Sequence, residues 1–90
     1  MNIHPVDKLA GELLKQRRKE LGLSQSFLGS SIDVSFQQIQ KYERGINRMA
    51  ASCLLELAII LKVPVSYFFE ETLLRLERRI AVKRKSDRRN

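Results

Sequence analysis

The sequence predicts an all-α protein of five short helices with a further C-terminal helix and a basic tail. Apolar residues recur at helical spacing along most of the chain, and no stretch alternates apolar and polar residues as a half-buried strand would. Cap and turn residues, Gly22, Ser24, Ser35, Gly45 and Pro64, punctuate that pattern at intervals suited to short helices. At 90 residues there is room for one core, and 43% hydrophobic with 30% charged residues favours a folded domain over disorder.

The first helix is predicted from Val6 to Leu21, where Val6, Leu9, Ala10, Leu13 and Leu14 share one face and Lys and Glu fill the other. Gly22 stands where a left-handed C-terminal cap is wanted, and Ser24 is an N-cap for a second helix through Phe27, Leu28 and Ile32. Asp33 and Val34 interrupt the pattern. Ser35 and Gln38 then form an S-x-x-Q capping box that opens a third helix, Ser35 to Arg44, closed by Gly45. The fourth, through Leu54, Leu55, Leu57, Ala58, Ile59 and Leu61, is apolar nearly all round and is expected to be the most buried. Pro64 is expected to start a fifth, short helix carrying Tyr67, Phe68 and Phe69. The expected organisation is a domain over residues 1–69, a C-terminal helix over 70–82 and a mobile basic tail over 83–90.

The net charge of +7 points to a polyanionic partner, but its location matters more than its sum. Residues 1–74 hold 9 basic and 8 acidic side chains, whereas residues 75–90 hold 8 and 2, so the excess lies in the tail. Nucleic-acid binding by the body must therefore rest on a particular face. No apolar run suits a membrane span and the start lacks a leader pattern, so the chain is expected to stay in the cytoplasm. Cys53, alone, forms no internal disulfide and is read as a small buried hydrophobe, and His4 as a surface residue. There is no glycine-rich phosphate loop and no nucleophile with an evident base, so no enzyme, cofactor, metal or small-molecule ligand is expected.

The third helix carries the chemistry. At about 100° per residue, Ile39 and Tyr42 fall on one side, while Gln37, Gln40, Lys41 and Arg44 spread over the other. A glutamine amide can pair with adenine N6 and N7, and lysine or arginine can donate to guanine O6 and N7. A merely solvated face would usually mix in carboxylates, and this one has none.

The runs Leu21-Gly22-Leu23-Ser24-Gln25, Leu28-Gly29, Val34-Ser35, Ile39-Gln40-Lys41-Tyr42-Glu43-Arg44-Gly45 and Leu57-Ala58 strongly resemble the Cro/C1-type helix-turn-helix family, also called the xenobiotic-response-element family. The likeness covers about Leu9 to Phe69, and Val34 to Gly45 looks especially like bacterial members. It implies a five-helix, lambda-repressor-like fold and a transcription regulator that binds double-stranded DNA, usually as a dimer. Position by position, it implies base reading by Phe36, Gln37 and Lys41, flanked by Gln40 and Arg44, and phosphate contacts from Ser24, Gln25, Asn47 and Arg48. For Phe36, a thymine-methyl contact and a tuck between the second and third helices both stay open. The resemblance also implies an ion pair of Arg18 with Glu43. Two departures stand out: Asp33 occupies a turn position often held by glycine, and Ala50 stands where a serine or threonine commonly caps the fourth helix.

Beyond the likeness, Phe69, Leu73, Leu76 and Ile80 follow at steps of four, three and four, a heptad-like seam. The favoured reading is a homodimer contact, and the rival is a helix folded back on its own domain. A different class of function, an antitoxin-like module that binds another protein and DNA only secondarily, is the alternative to a regulator.

Overall fold

The computed structural model describes residues 2–87. Helix α1 (Pro5–Glu20) opens with proline in its first turn, where no N–H is needed, and His4 caps it: the Nδ1 atom accepts from the Val6 N–H at 3.1 Å. His4 is exposed, as expected, but its capping role was not foreseen. Gly22 turns the chain at φ 69°. Helix α2 (Gln25–Ser31) follows, its Phe27 N–H satisfied by Ser24 Oγ at 2.9 Å. In the next turn Asp33 takes the left-handed conformation at φ 63°, and the Val34 N–H bonds to the Gly29 carbonyl at 2.8 Å.

Helix α3 (Phe36–Glu43) is capped by Ser35, whose Oγ accepts from the Gln38 N–H at 3.1 Å. The predicted box is only half formed, because the Gln38 carbonyl oxygen accepts from Asn47 Nδ2 at 3.3 Å instead of reaching back. Helix α4 (Ala51–Leu61) has no side-chain cap at Ala50, and it ends on Lys62 in the left-handed region at φ 57°. The expected fifth helix is a single 3₁₀ turn, Val65–Phe68, with Pro64 outside it as the cap. Phe69 breaks the turn at φ −121°, and helix α5 (Glu70–Asp87) begins directly after.

The core lies where α1, α2, α3, α4 and the 3₁₀ turn converge: Leu14, Leu28, Ile39, Leu57, Leu61 and Phe68 are fully inaccessible, each worth roughly 2 kcal/mol of burial. Arg17 Nε donates to the Leu61 carbonyl at 2.9 Å, joining the C-terminal ends of α1 and α4. Two expectations are corrected. Helix α4 is not buried all round, since Ile59 is 71% exposed and Leu55 lies beside it on an open face. The few short elements around α4 cannot cover it on all sides, so Leu57, Ala58 and Leu61 are buried, Cys53, Leu54 and Ile60 pack beside them, and the rest is open. Likewise, α5 runs to Asp87 and not to residue 82, because Ala81 to Asp87 contains no glycine or proline to stop it. Lys83 and Arg84 are thus helical, while residues 88–90 of the expected tail lie outside the described residues.

Helix α5 touches the body only near its start. Thr72 is buried and Phe69 half-buried, but Leu73, Leu76 and Ile80 are exposed. The seam residues thus stay open to solvent in the single chain, which measures 54 Å along its longest axis.

Candidate nucleic-acid interface

The outward face of α3 is set by what its opposite face holds. Ile39 is inaccessible and Tyr42 half-buried, so Gln37, Lys41 and Arg44 point to solvent. Phe36, the first residue of α3, is 45% exposed and so not tucked between α2 and α3. Gln40 is half-buried.

Beneath that face lies a polar network. Arg18 Nε donates to Glu43 Oε2 at 2.7 Å and Arg18 Nη2 to Glu43 Oε1 at 3.1 Å, a bidentate pair whose side chains are 11% and 3% exposed. Arg18 Nη1 also donates to the Leu23 carbonyl at 3.0 Å, so one guanidinium ties α1, the α1–α2 turn and α3 together. Gln25 Nε2 donates to Glu43 Oε1 at 3.0 Å, and Gln25 Oε1 accepts from Gln40 Nε2 at 3.2 Å. The network therefore runs from a buried ion pair to a side chain on the edge of the outward face. Sequence reasoning had the pair but missed the glutamine bridge, since nothing in residue spacing shows that Gln25 turns inward.

The remaining phosphate candidates are held by local contacts. Ser24 Oγ is an acceptor in the α2 cap and keeps its hydroxyl hydrogen to donate. Asn47 is held by Gln38. Arg48, 75% exposed at its side chain, donates from Nε to Asp7 Oδ2 at 3.1 Å, and among the described residues its Nη groups make no hydrogen bond. Cys53 is half-buried behind α3, and its thiol pKa is raised by burial, with the Tyr42 hydrogen bond opposing and Glu56 reinforcing the shift. Burial also raises the Tyr42 pKa, helped by Cys53. Neither residue is poised as a nucleophile. Among the described residues no group of His, Cys, Asp and Glu could hold a metal ion, and no helix is long and apolar enough to cross a membrane.

A helix-turn-helix family model matches residues 14–68. An uncharacterized HTH-type transcriptional regulator of Sinorhizobium medicae is 52% identical over 68 residues, covering 76% of this chain and 49% of its own. An uncharacterized transcriptional regulator in the ATPase CF(0) region of Rhodospirillum rubrum is 54% identical over 69 residues, covering 77% of this chain and 64% of its own. This chain thus spans about half the length of several curated relatives it matches. Among solved structures, the P22 c2 repressor in complex with a synthetic operator aligns with a TM-score of 0.65 at 32% identity, over 69% of this chain and 94% of that one. The restriction-modification controller protein C.AhdI of Aeromonas hydrophila aligns with the same TM-score at 26% identity, over 71% and 96%. With a helix-turn-helix model matched over residues 14–68 and a transcriptional regulator 52% identical over 76% of this chain, the chain belongs to the Cro/C1-type helix-turn-helix family.

Proposed function

We propose that this protein is a sequence-specific transcription regulator that lays α3 in the major groove of double-stranded DNA and acts as a homodimer on a near-palindromic operator. The observation that carries the reading is the outward face of α3: Gln37, Lys41 and Arg44 are exposed together, without a carboxylate, on a helix anchored from behind by a buried ion pair. The likeness to a repressor solved on its operator supports the same reading. Gel-shift titration against DNA fragments with competitor tests it. A specific, salt-sensitive complex is expected, and weak binding indifferent to sequence would favour the antitoxin-like alternative.

Gln37→Ala and Lys41→Ala are each expected to cost about 1 to 3 kcal/mol on the preferred site and to relax preference at one base pair. Arg48→Ala should weaken preferred and scrambled duplexes alike and lower the salt slope by about one, as a lost phosphate contact does. Equal losses on both duplexes for Gln37→Ala or Lys41→Ala would reassign that residue to the backbone. In this reading Phe36 joins Gln37 and Lys41 at the bases with Gln40 beside them, while Ser24, Gln25, Arg44 and Asn47 position the helix, Gln25 through Glu43 and Gln40 as well as toward phosphate.

Exposure of Leu73, Leu76 and Ile80 along α5, continuous with half-buried Phe69, supports the dimer. A two-fold contact there would set two α3 helices about one DNA turn, roughly 34 Å, apart. Leu73→Asp with Ile80→Asp should give a folded monomer with weakened operator binding, read by sedimentation at micromolar concentration. An unmutated chain that stays monomeric, even on a half-site duplex, would remove the dimer. Lys83, Arg84 and the basic residues after them then add phosphate attraction without sequence preference.

A further inference from the structure

Where α5 leaves the body, it diverges from the N-terminal end of α1 and opens a cleft of about 360 Å³, inside the range of roughly 300 to 1,000 Å³ typical of small-molecule sites. On the α1 side its walls are Pro5, Val6 and Leu9 with the His4 ring, whose Nδ1 is taken up by the Val6 N–H, and on the α5 side Thr72, Arg75, Leu76 and Arg79. Three features of this cleft point to a ligand.

The first is Thr72. It is 4% exposed and lines the cleft, yet its Oγ1 has no hydrogen-bond partner among the described residues. A buried hydroxyl left unpaired costs stability, so it calls for a partner that the chain does not supply. A helical threonine has two accessible χ1 wells, so this hydroxyl is free to reorient toward a bound acceptor. The second is charge. Arg75 and Arg79 stand one helical turn apart on one side of α5, a like-charge spacing that disfavours the helix. Arg75 pairs with Glu71 at 2.7 Å, and Arg79 makes no ion pair among the described residues. The third is the 16-residue α1, whose positive N-terminal end closes the same cleft, while the acid of its first turn, Asp7, is engaged by Arg48.

We propose that this cleft binds a small amphipathic carboxylate, an organic acid with a short aliphatic or aromatic body. Its carboxylate accepts hydrogen bonds from the Arg75 and Arg79 guanidiniums and the Thr72 hydroxyl, and its body lies on Val6, Leu9 and Leu76. A ligand there bridges the first helix of the body and α5, and so fixes the direction in which α5 projects. That gives an organic acid a route to the spacing of two DNA-binding units, which goes beyond the regulator reading.

The test is a heteronuclear NMR titration of the full chain, without DNA, using sodium hexanoate and sodium benzoate as probes and hexan-1-ol and inorganic phosphate as matched controls. Saturable shifts at the Val6, Leu9 and Leu76 methyls are expected for both carboxylates, with the alcohol and phosphate at least about tenfold weaker, since each lacks one half of the recognition. Arg79→Gln should weaken hexanoate severalfold. Thr72→Val should weaken it too while keeping or raising the Tm, whereas a hydroxyl that only supports the fold would lower the Tm and leave the affinity unchanged. No saturation into the tens of millimolar, equal binding of hexan-1-ol or phosphate, or unchanged affinity in Arg79→Gln overturns the proposal. DNA is absent throughout, so none of these failures touches the groove-reading face, which the gel-shift titration tests separately.

Discussion

Glu43→Ala should lower the urea-unfolding free energy by about 3 kcal/mol or more, several times the effect of removing an exposed pair, because the lost carboxylate leaves a buried guanidinium unpaired. The geometry explains the size. Glu43 is almost wholly inaccessible, its two oxygens take both donors of the Arg18 fork, and Oε1 also accepts from Gln25. The variant thus orphans two donor groups at once. Arg18 keeps only the Leu23 carbonyl, and Gln25 loses the partner that aims its carbonyl at Gln40. Replacing both members by apolar residues, Arg18→Met with Glu43→Leu, should cost clearly less than Glu43→Ala alone, since no charge is then stranded. A loss under about half a kilocalorie in Glu43→Ala would mean that water screens the pair in solution. The recognition face should respond as well: on cognate DNA the folded fraction of Glu43→Ala should discriminate less well between bases, because Gln40 is no longer held.

The parts legible in the sequence share a physical character: they follow from local rules. Ser24, Ser35 and Gly22 mark helix ends through backbone groups within a few residues, and the helix bounds of α1, α2 and α3 match those marks closely. The outward set Gln37, Lys41 and Arg44 follows from helical period once Ile39 is assigned to the core. What failed to show was set by three-dimensional context. Ile59 and Leu55 read as core because hydrophobicity alone cannot say that a bundle is too small to cover a helix on all sides. The inward turn of Gln25 depends on where α1 puts Arg18 and α3 puts Glu43, which no spacing within α2 encodes. The sequence places the end of α5 too early because the basic residues after Ile80 have little to pack against, although lysine and arginine are good helix formers that need no packing to continue a helix.

Gly11→Ala is expected to destabilise the protein by about 2 to 3 kcal/mol or more, in the opposite direction to the gain that the same change gives in an exposed helix. Gly11 lies in the middle of α1, where alanine alone would favour the helix by roughly 1 kcal/mol. It is buried against the C-terminal end of α3, however, and a Cβ there would lie 2.2 Å from the Tyr42 carbonyl oxygen and 2.8 Å from that of Glu43. Both neighbours are backbone, so no side chain can rotate away and the two helices must separate. Separation would reach the Arg18–Glu43 pair two turns further along α1 and the packing of Gly45 on Lys8, where a Cβ would already sit 2.8 Å from the Lys8 Cα. The missing side chain at residue 11 is therefore what lets α1 carry Arg18 close enough to fix the recognition helix. Gly22→Ala provides the control. Nothing lies within 4 Å of its Cβ, but its φ of +69° is left-handed, so its cost should stay near the roughly 1 to 2 kcal/mol of that conformation. Urea melts of the two variants decide the matter: a Gly11→Ala protein as stable as the unmutated chain would show that α1 and α3 do not approach so closely, and the anchoring of α3 from behind would have to rest on the ion pair alone.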